Sequence, residues 1–178
     1  MKQSGPEGRG GLPGGSTPGN ARPRKADPAI YSQMRRNALE AQVPHLSRDA
    51  VHVVLMDWHV DRGTVTVVAA ADGSASLYLS SGGGYIGGSE KVPAIREAAL
   101  HAVALATSLR MQFERTQTSP LPSLGDVTFY IRTGAGVSRA VAAEAKLRAG
   151  ADPLAGLGGA MQRIVTEYRL NFPRKNNP

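Results

Sequence analysis

The sequence predicts an α+β fold: an antiparallel sheet of four to five strands in βββαββ order, with a long helix on one face and short N- and C-terminal helices. Three observations carry this. Apolar residues alternate with period two between Val51 and Ser80, interrupted at Asp61-Arg62-Gly63 and Asp72-Gly73, both turn signals. Helical spacing takes over from about Val92 to Gln117, and period two returns at Val127.

Each element has its own justification. Asp27-Pro28 is a helix start, because an Asp side chain accepts orphan N–H groups and Pro is tolerated at the first helical position. Tyr31, Met34 and Ala38 then recur at helical spacing until Pro44 forbids continuation. In the first strand Val53 and Leu55 lie on one face and Val54, Met56 and Trp58 on the other, the mark of a central strand covered on both sides. Thr64 to Ala70 and Ser74 to Ser80 complete a meander, the last with Ala75, Leu77 and Leu79 opposite Ser76, Tyr78 and Ser80. The long helix opens at Pro93 and is built on Ile95, Ala99, Ala102, Val103, Ala106, Leu109 and Phe113, with Glu97, His101, Ser108 and Gln112 on its polar stripe. A fourth strand, Val127 to Thr133, points Val127, Phe129 and Ile131 inward. Val137 to Leu147 has helix-forming composition but follows a tight glycine loop, and the loop favours a fifth strand. Met161, Ile164, Val165 and Tyr168 mark the last helix.

The domain plan is a Gly/Pro/Arg-rich tail over residues 1–26, one domain over 27–170 and a flexible basic end over 171–178. The tail lacks the apolar residues that could offset chain entropy, so disorder is expected there. The net charge of +7 divides into +3 before residue 30, +2 at Arg174 and Lys175, and only +2 between them. Nucleic-acid binding through a folded basic face is therefore not indicated. A loose attraction of the tail for polyanions is the residual alternative to a solubilising role. The 178 residues contain no cysteine, which rules out disulfides, Cys-based zinc sites and thiol nucleophiles. The first 20 residues lack the apolar run of a secretory signal, so a soluble cytoplasmic protein is expected.

If residues 137–147 form a strand, the element order resembles the type III secretion chaperones, small homodimeric α+β proteins that hold a partner polypeptide. If they form a helix, βββαβα resembles the start of the ribonuclease H-like fold. Residues 28–170 also resemble a family of small bacterial proteins of unknown activity through Ser76 to Gly84, Pro120 to Val137 and Asp152-Pro153-Leu154. These resemblances imply a folded module and no reaction.

No catalytic set is complete. The candidate ligand or partner loop is Ser81, Gly82, Gly83, Gly84, Tyr85 and Gly87, within residues 80–89. Gly82, Gly84 and Gly87 satisfy G-x-G-x-x-G, but the preceding strand belongs to a hairpin and the helix opens several residues late, so the dinucleotide context fails. Exposed backbone N–H groups could still contact an anion, a nucleotide or a partner. Asp57 and Glu97 occupy the first two ligand positions of a ribonuclease H-like metal site, and Arg132-Thr133-Gly134 offers no third carboxylate. His45, His52, His59 and His101 show no ligand spacing, and no G-x-S-x-G elbow exists. The expected function is therefore a non-catalytic, cofactor-free interaction or assembly module, chaperone-like and homodimeric, with no membrane association and an unidentified protein partner. The alternatives are ribonuclease H-like or tail-mediated nucleic-acid binding, and small-anion or nucleotide binding at the loop.

Overall fold

A computed structural model describes residues 28–173. The tail over 1–26, the Asp27 cap and Arg174-Lys175 lie outside that range. Helix α1 (Pro28–Glu40) leads into a meander of β1 (Val51–Val60), β2 (Gly63–Ala70), β3 (Ala75–Leu79) and β4 (Gly84–Ile86). Helix α2 (Pro93–Ser108) and a single 3₁₀ turn (Arg110–Gln112) precede β5 (Glu114–Thr116), β6 (Asp126–Thr133) and β7 (Gly136–Ala143). Two helices close the domain, α3 (Glu144–Arg148) and α4 (Ala155–Asn171). The sheet has seven antiparallel strands in the order β4-β3-β2-β1-β6-β7-β5, with β1 at its centre.

The α+β class, the meander and the central β1 follow the sequence; four details do not. The sheet has seven strands instead of four to five, because three-residue strands β4 and β5 cap its two edges. The long helix ends at Ser108, well short of Gln117: the hydroxyls of Thr107 and Ser108 bond back to the carbonyls of Val103 and Leu105, at 2.9 and 2.8 Å. Such local bonds compete with helix propagation. Residues 137–147 are not the single strand favoured for them: they are strand to Ala143 and helix from Glu144. The terminal helices are not short: α4 has 17 residues, one more than α2.

Alternation along β1 divides the core. Val54, Met56, Phe129 and Ile131 face α2 and α4, together with Leu77, Ile95, Leu157, Met161 and Ile164. Val53, Leu55, Val68, Tyr78 and Tyr130 face α1 through Tyr31, Ala38 and Leu39. Each fully buried large side chain contributes about 1.5–3 kcal/mol.

Candidate functional site

Two constellations stand apart from the apolar core, one on each face of the sheet. Under α1, the alternation that buries Val53 and Leu55 also buries Asp57, which has no exposed surface. The helical spacing that buries Tyr31 and Ala38 turns Arg35 to meet it. Arg35 donates to Asp57 Oδ2 through Nε at 2.8 Å and Nη2 at 2.5 Å, and through Nη1 to the Ser119 carbonyl at 2.7 Å. Thr66 donates to Asp57 Oδ1 at 2.5 Å and accepts from the Tyr31 hydroxyl at 2.7 Å. The guanidinium lies 5.1 Å from the Tyr130 ring centroid, and the Tyr130 hydroxyl donates to the Pro120 carbonyl at 2.5 Å.

Burial pushes the Asp57 carboxyl above its usual range, against the pull of Arg35 and Thr66. Burial would lower Arg35, but the hydrogen bond and charge of Asp57 reverse this and raise it. Desolvation also pushes Tyr31 up to about 12. Asp57 spends its carboxylate on two partners inside a closed cluster, which is the arrangement of a structural ion pair. Glu97 is exposed on α2, across the sheet from α1, so the two carboxylates of the ribonuclease H-like reading lie on opposite faces.

On the other face, α4 leaves part of the sheet uncovered. Three cavities that share lining residues follow its length. The first, about 370 Å³, is walled by Met56, Trp58, Val127, Leu147 and Gly158, with Glu144, Arg148 and Gln162 also lining it. The second, about 360 Å³, continues from Trp58 over Val65, Leu77 and Leu79 to Tyr85 and Phe172, beside Val165 and Arg169. The third, about 370 Å³, runs from Tyr85 and Phe172 along Gly84 and Gly87 to Glu90 and Lys91. The first two form a mainly apolar groove, and the third, at the glycine loop, is of mixed polarity.

An aromatic cluster builds the far end. Tyr85 stacks on Tyr168 with centroids 5.2 Å apart and rings 9° from parallel, and Phe172 packs at 6.0 and 6.1 Å from the two. The Tyr85 hydroxyl donates to the Phe172 carbonyl at 2.8 Å. The Tyr168 hydroxyl shares its proton between the carbonyls of Ala75 and Gly87, at 2.6 and 2.7 Å, and desolvation raises its pKa.

At the near end, Trp58 Nε1 is buried without a hydrogen bond of normal geometry. Burial would raise the Glu144 carboxyl, but the nearby indole and the Arg148 guanidinium together hold it below its usual range. The Trp58 indole N–H and the Arg148 guanidinium thus both act on Glu144 as hydrogen-bond donors to its carboxylate. Arg148 donates to Glu144 Oε1 at 2.9 and 2.5 Å.

The structure gives the glycines of the candidate loop backbone duties. Gly82 and Gly83 have φ of 113° and 84° and turn the chain from β3 into β4, closed by the Gly82 N–H on the Leu79 carbonyl at 2.9 Å. A Cβ on Gly84 would overlap the Leu77 carbonyl oxygen. Gly84, Tyr85 and Gly87 nevertheless line the far end of the groove, whereas Ser81 sits exposed on the turn. His52 is buried and structural: its Nδ1 accepts from the Val43 N–H at 2.9 Å. Among the described residues no group of three or more His, Asp or Glu could hold a metal ion, and no helix is long and apolar enough to cross a membrane.

Sequence reasoning missed Arg35, Trp58 and the groove. A lone Arg on the apolar stripe of α1 and a lone Asp on an apolar face of β1 were the available signal for the ion pair. Comparison with protein-family models, curated proteins and solved structures returns no match.

Proposed function

We propose that the protein is a non-catalytic docking module whose groove beside α4 holds an apolar segment of a partner polypeptide. The observation that carries this is the line of partly exposed apolar side chains, Leu147, Trp58, Val65, Tyr85 and Phe172, that packs against the core and, with Leu79, lines the cavities between the sheet and α4. Connected apolar surface rimmed by polar groups is the signature of an interaction site. The rest of the chain is a poor occupant: residues 1–27 contain only Met1 and Leu12 as large apolar side chains, and residues 174–178 contain none. The candidate loop contributes its far wall.

The chaperone-like expectation of a homodimer has its own support. Strand β5 pairs only with Val137–Arg139, so among the described residues the Ala140–Ala143 edge of β7 has no strand beyond it, and Val141 there is exposed. An open edge pairs readily with its own copy across a two-fold axis.

The test uses 1-anilinonaphthalene-8-sulfonate on the full chain. Saturable binding with energy transfer from Trp58, abolished by Leu79→Lys in a protein with unchanged circular dichroism, is expected. Binding that is absent, or indifferent to Leu79→Lys, would refute the docking reading.

A further inference from the structure

We infer that the β6–β7 hairpin end of the sheet is a nucleic-acid surface, on which a group of arginines grips the phosphodiester backbone of a duplex without reading its sequence. It lies at the start of β1, the opposite end from Trp58, and shares no residue with the groove. The two surfaces stand or fall separately.

Five arginines surround this turn. Arg132 stands on β6 one residue before Thr133, where the strand ends, and its Nε is buried without an acceptor. Arg115 donates through Nη2 to the Ala135 carbonyl within the turn. Arg48 passes against the turn: a Cβ on Gly134 would stand 3.0 Å from the Arg48 Cα. Arg110 donates through Nη1 at 2.8 Å to the carbonyl of Asp49, the residue after Arg48. Arg139 on β7 lies opposite Tyr130, two residues from Arg132, so the two arginines share a sheet face. The loop that carries Arg48 is pinned by His52, whose Nδ1 accepts from the Val43 N–H and whose Nε2 lies 3.3 Å from the Ser47 carbonyl.

None of the five forms an ion pair. Among the described residues the pairs are Arg35–Asp57, Arg148–Glu144 and Arg163–Glu167. The acids on the same segments are Asp49, after Arg48, and Glu114, opposite Arg139, while Asp126 is at the far end of β6. Five cations against two anions leave a local excess of +3, although residues 30–170 as a whole carry only +2. A nearly neutral total thus conceals a basic end.

The chemistry of the patch selects its partner. Arg110 and Arg115 are exposed, and each spends a single N–H on its carbonyl and keeps the rest of its planar fork, the geometry that suits phosphate. None of the exposed large apolar side chains is aromatic, so unpaired bases find no stacking platform. Leu46 and Met111 are exposed near Arg48 and Arg110, but two aliphatic side chains fall short of the whole apolar helix face that holds a membrane surface. The closely spaced phosphates of a duplex fit an arginine cluster that offers charge and nothing else.

The probe is a short fluorescein-labelled DNA duplex of mixed sequence, titrated with the full chain and followed by anisotropy. Affinity should fall about 100-fold between about 50 and 200 mM salt, the slope for about four phosphate contacts. Arg48→Gln and Arg110→Gln should each weaken binding about ten-fold at about 50 mM salt and reduce the slope of log affinity on log salt by about one, with unchanged circular dichroism. Asp49→Asn, a gain that unfolding could not mimic, should tighten binding about two- to five-fold. The same Arg48 and Arg110 effects should persist in a chain whose basic tail carries Arg22→Gln, Arg24→Gln and Lys25→Gln. Four results would each overturn the proposal: no binding at about 50 mM salt, binding that follows the tail substitutions and ignores Arg48 and Arg110, tighter binding to a single strand of the same length, or binding to phosphatidylserine vesicles but not to the duplex.

Discussion

Replacing Arg35 by Met removes the cation from a carboxylate that has no exposed surface, and the cost follows from that geometry. Asp57 would keep the Thr66 hydroxyl and lose two charge-assisted bonds at 2.8 and 2.5 Å. Breaking a buried pair from one side costs about 3–5 kcal/mol, because the surviving charge is left desolvated. Total stabilities are about 5–15 kcal/mol, so the variant should retain a fold with its melting temperature lowered by about 10–15 °C.

Converting Asp57 to Leu in the same protein removes the stranded charge and should restore most of the loss. The sign with pH is also fixed. Burial already holds the Asp57 carboxyl above its ordinary value; without Arg35 only the Thr66 hydrogen bond opposes desolvation, and the folded-state pKa rises further. The deficit of Arg35→Met relative to the wild type should therefore be smallest below the ordinary carboxyl pKa of 3.8, where Asp57 is protonated in every state, and should grow as pH rises toward the variant's folded-state pKa, levelling off above it. Urea unfolding followed by Trp58 emission at several pH values measures all three quantities. A single variant within about 1 kcal/mol of wild type at pH 7 would refute the assignment of this pair as a buried structural contact.

Gly159→Ala should stabilise the protein by about 0.5–1 kcal/mol, raising the melting temperature by about 2–4 °C, since the new methyl group meets open space inside a helix; a loss of stability would mean that the helix needs the glycine. Gly84→Ala should lower stability by about 1–3 kcal/mol, because φ is +151° and the Cβ would strike the Leu77 carbonyl; a neutral result in urea unfolding would show that β4 does not hold that register. Tyr31, Tyr130 and Tyr168 all have raised pKa values in the folded state. The unfolded chain therefore loses these protons first, and stability should fall as pH rises above about 10, with tyrosinate absorbance appearing late and together with unfolding. A full, reversible tyrosinate titration at ordinary pKa in folded protein would contradict their burial.

The period-two segments gave away β1, β2, β3 and β6 because each is long enough to show alternation and is bounded by turn residues. Gly84-Tyr85-Ile86 and Glu114-Arg115-Thr116 are too short for any period, and Phe113 continued the helical spacing of α2 past its true end. The start of α4 was hidden by Gly156, Gly158 and Gly159, whose low helical propensity is overridden by packing of Leu157, Ala160 and Met161. The glycine loop was visible as an anomaly, and the backbone geometry shows why glycine is needed there. The groove was not legible. It arises from where α4 crosses the sheet, a tertiary relation that no local pattern encodes. Trp58 shows the limit well: in the sequence it is one more apolar residue on β1, and only the placement of α3 and α4 sets Glu144 beside its indole and opens the cavity next to it.

The most direct test of docking beside α4 places the photo-crosslinker p-benzoylphenylalanine at Leu79, inside the groove, and in a second protein at Leu124, which is 80% exposed but outside it. Irradiation in the producing cell, followed by mass spectrometry of the adducts, should give a Leu79-dependent polypeptide adduct joined through a segment with a large apolar side chain. Equal labelling from the two positions, or adducts with no polypeptide attached, would contradict the account.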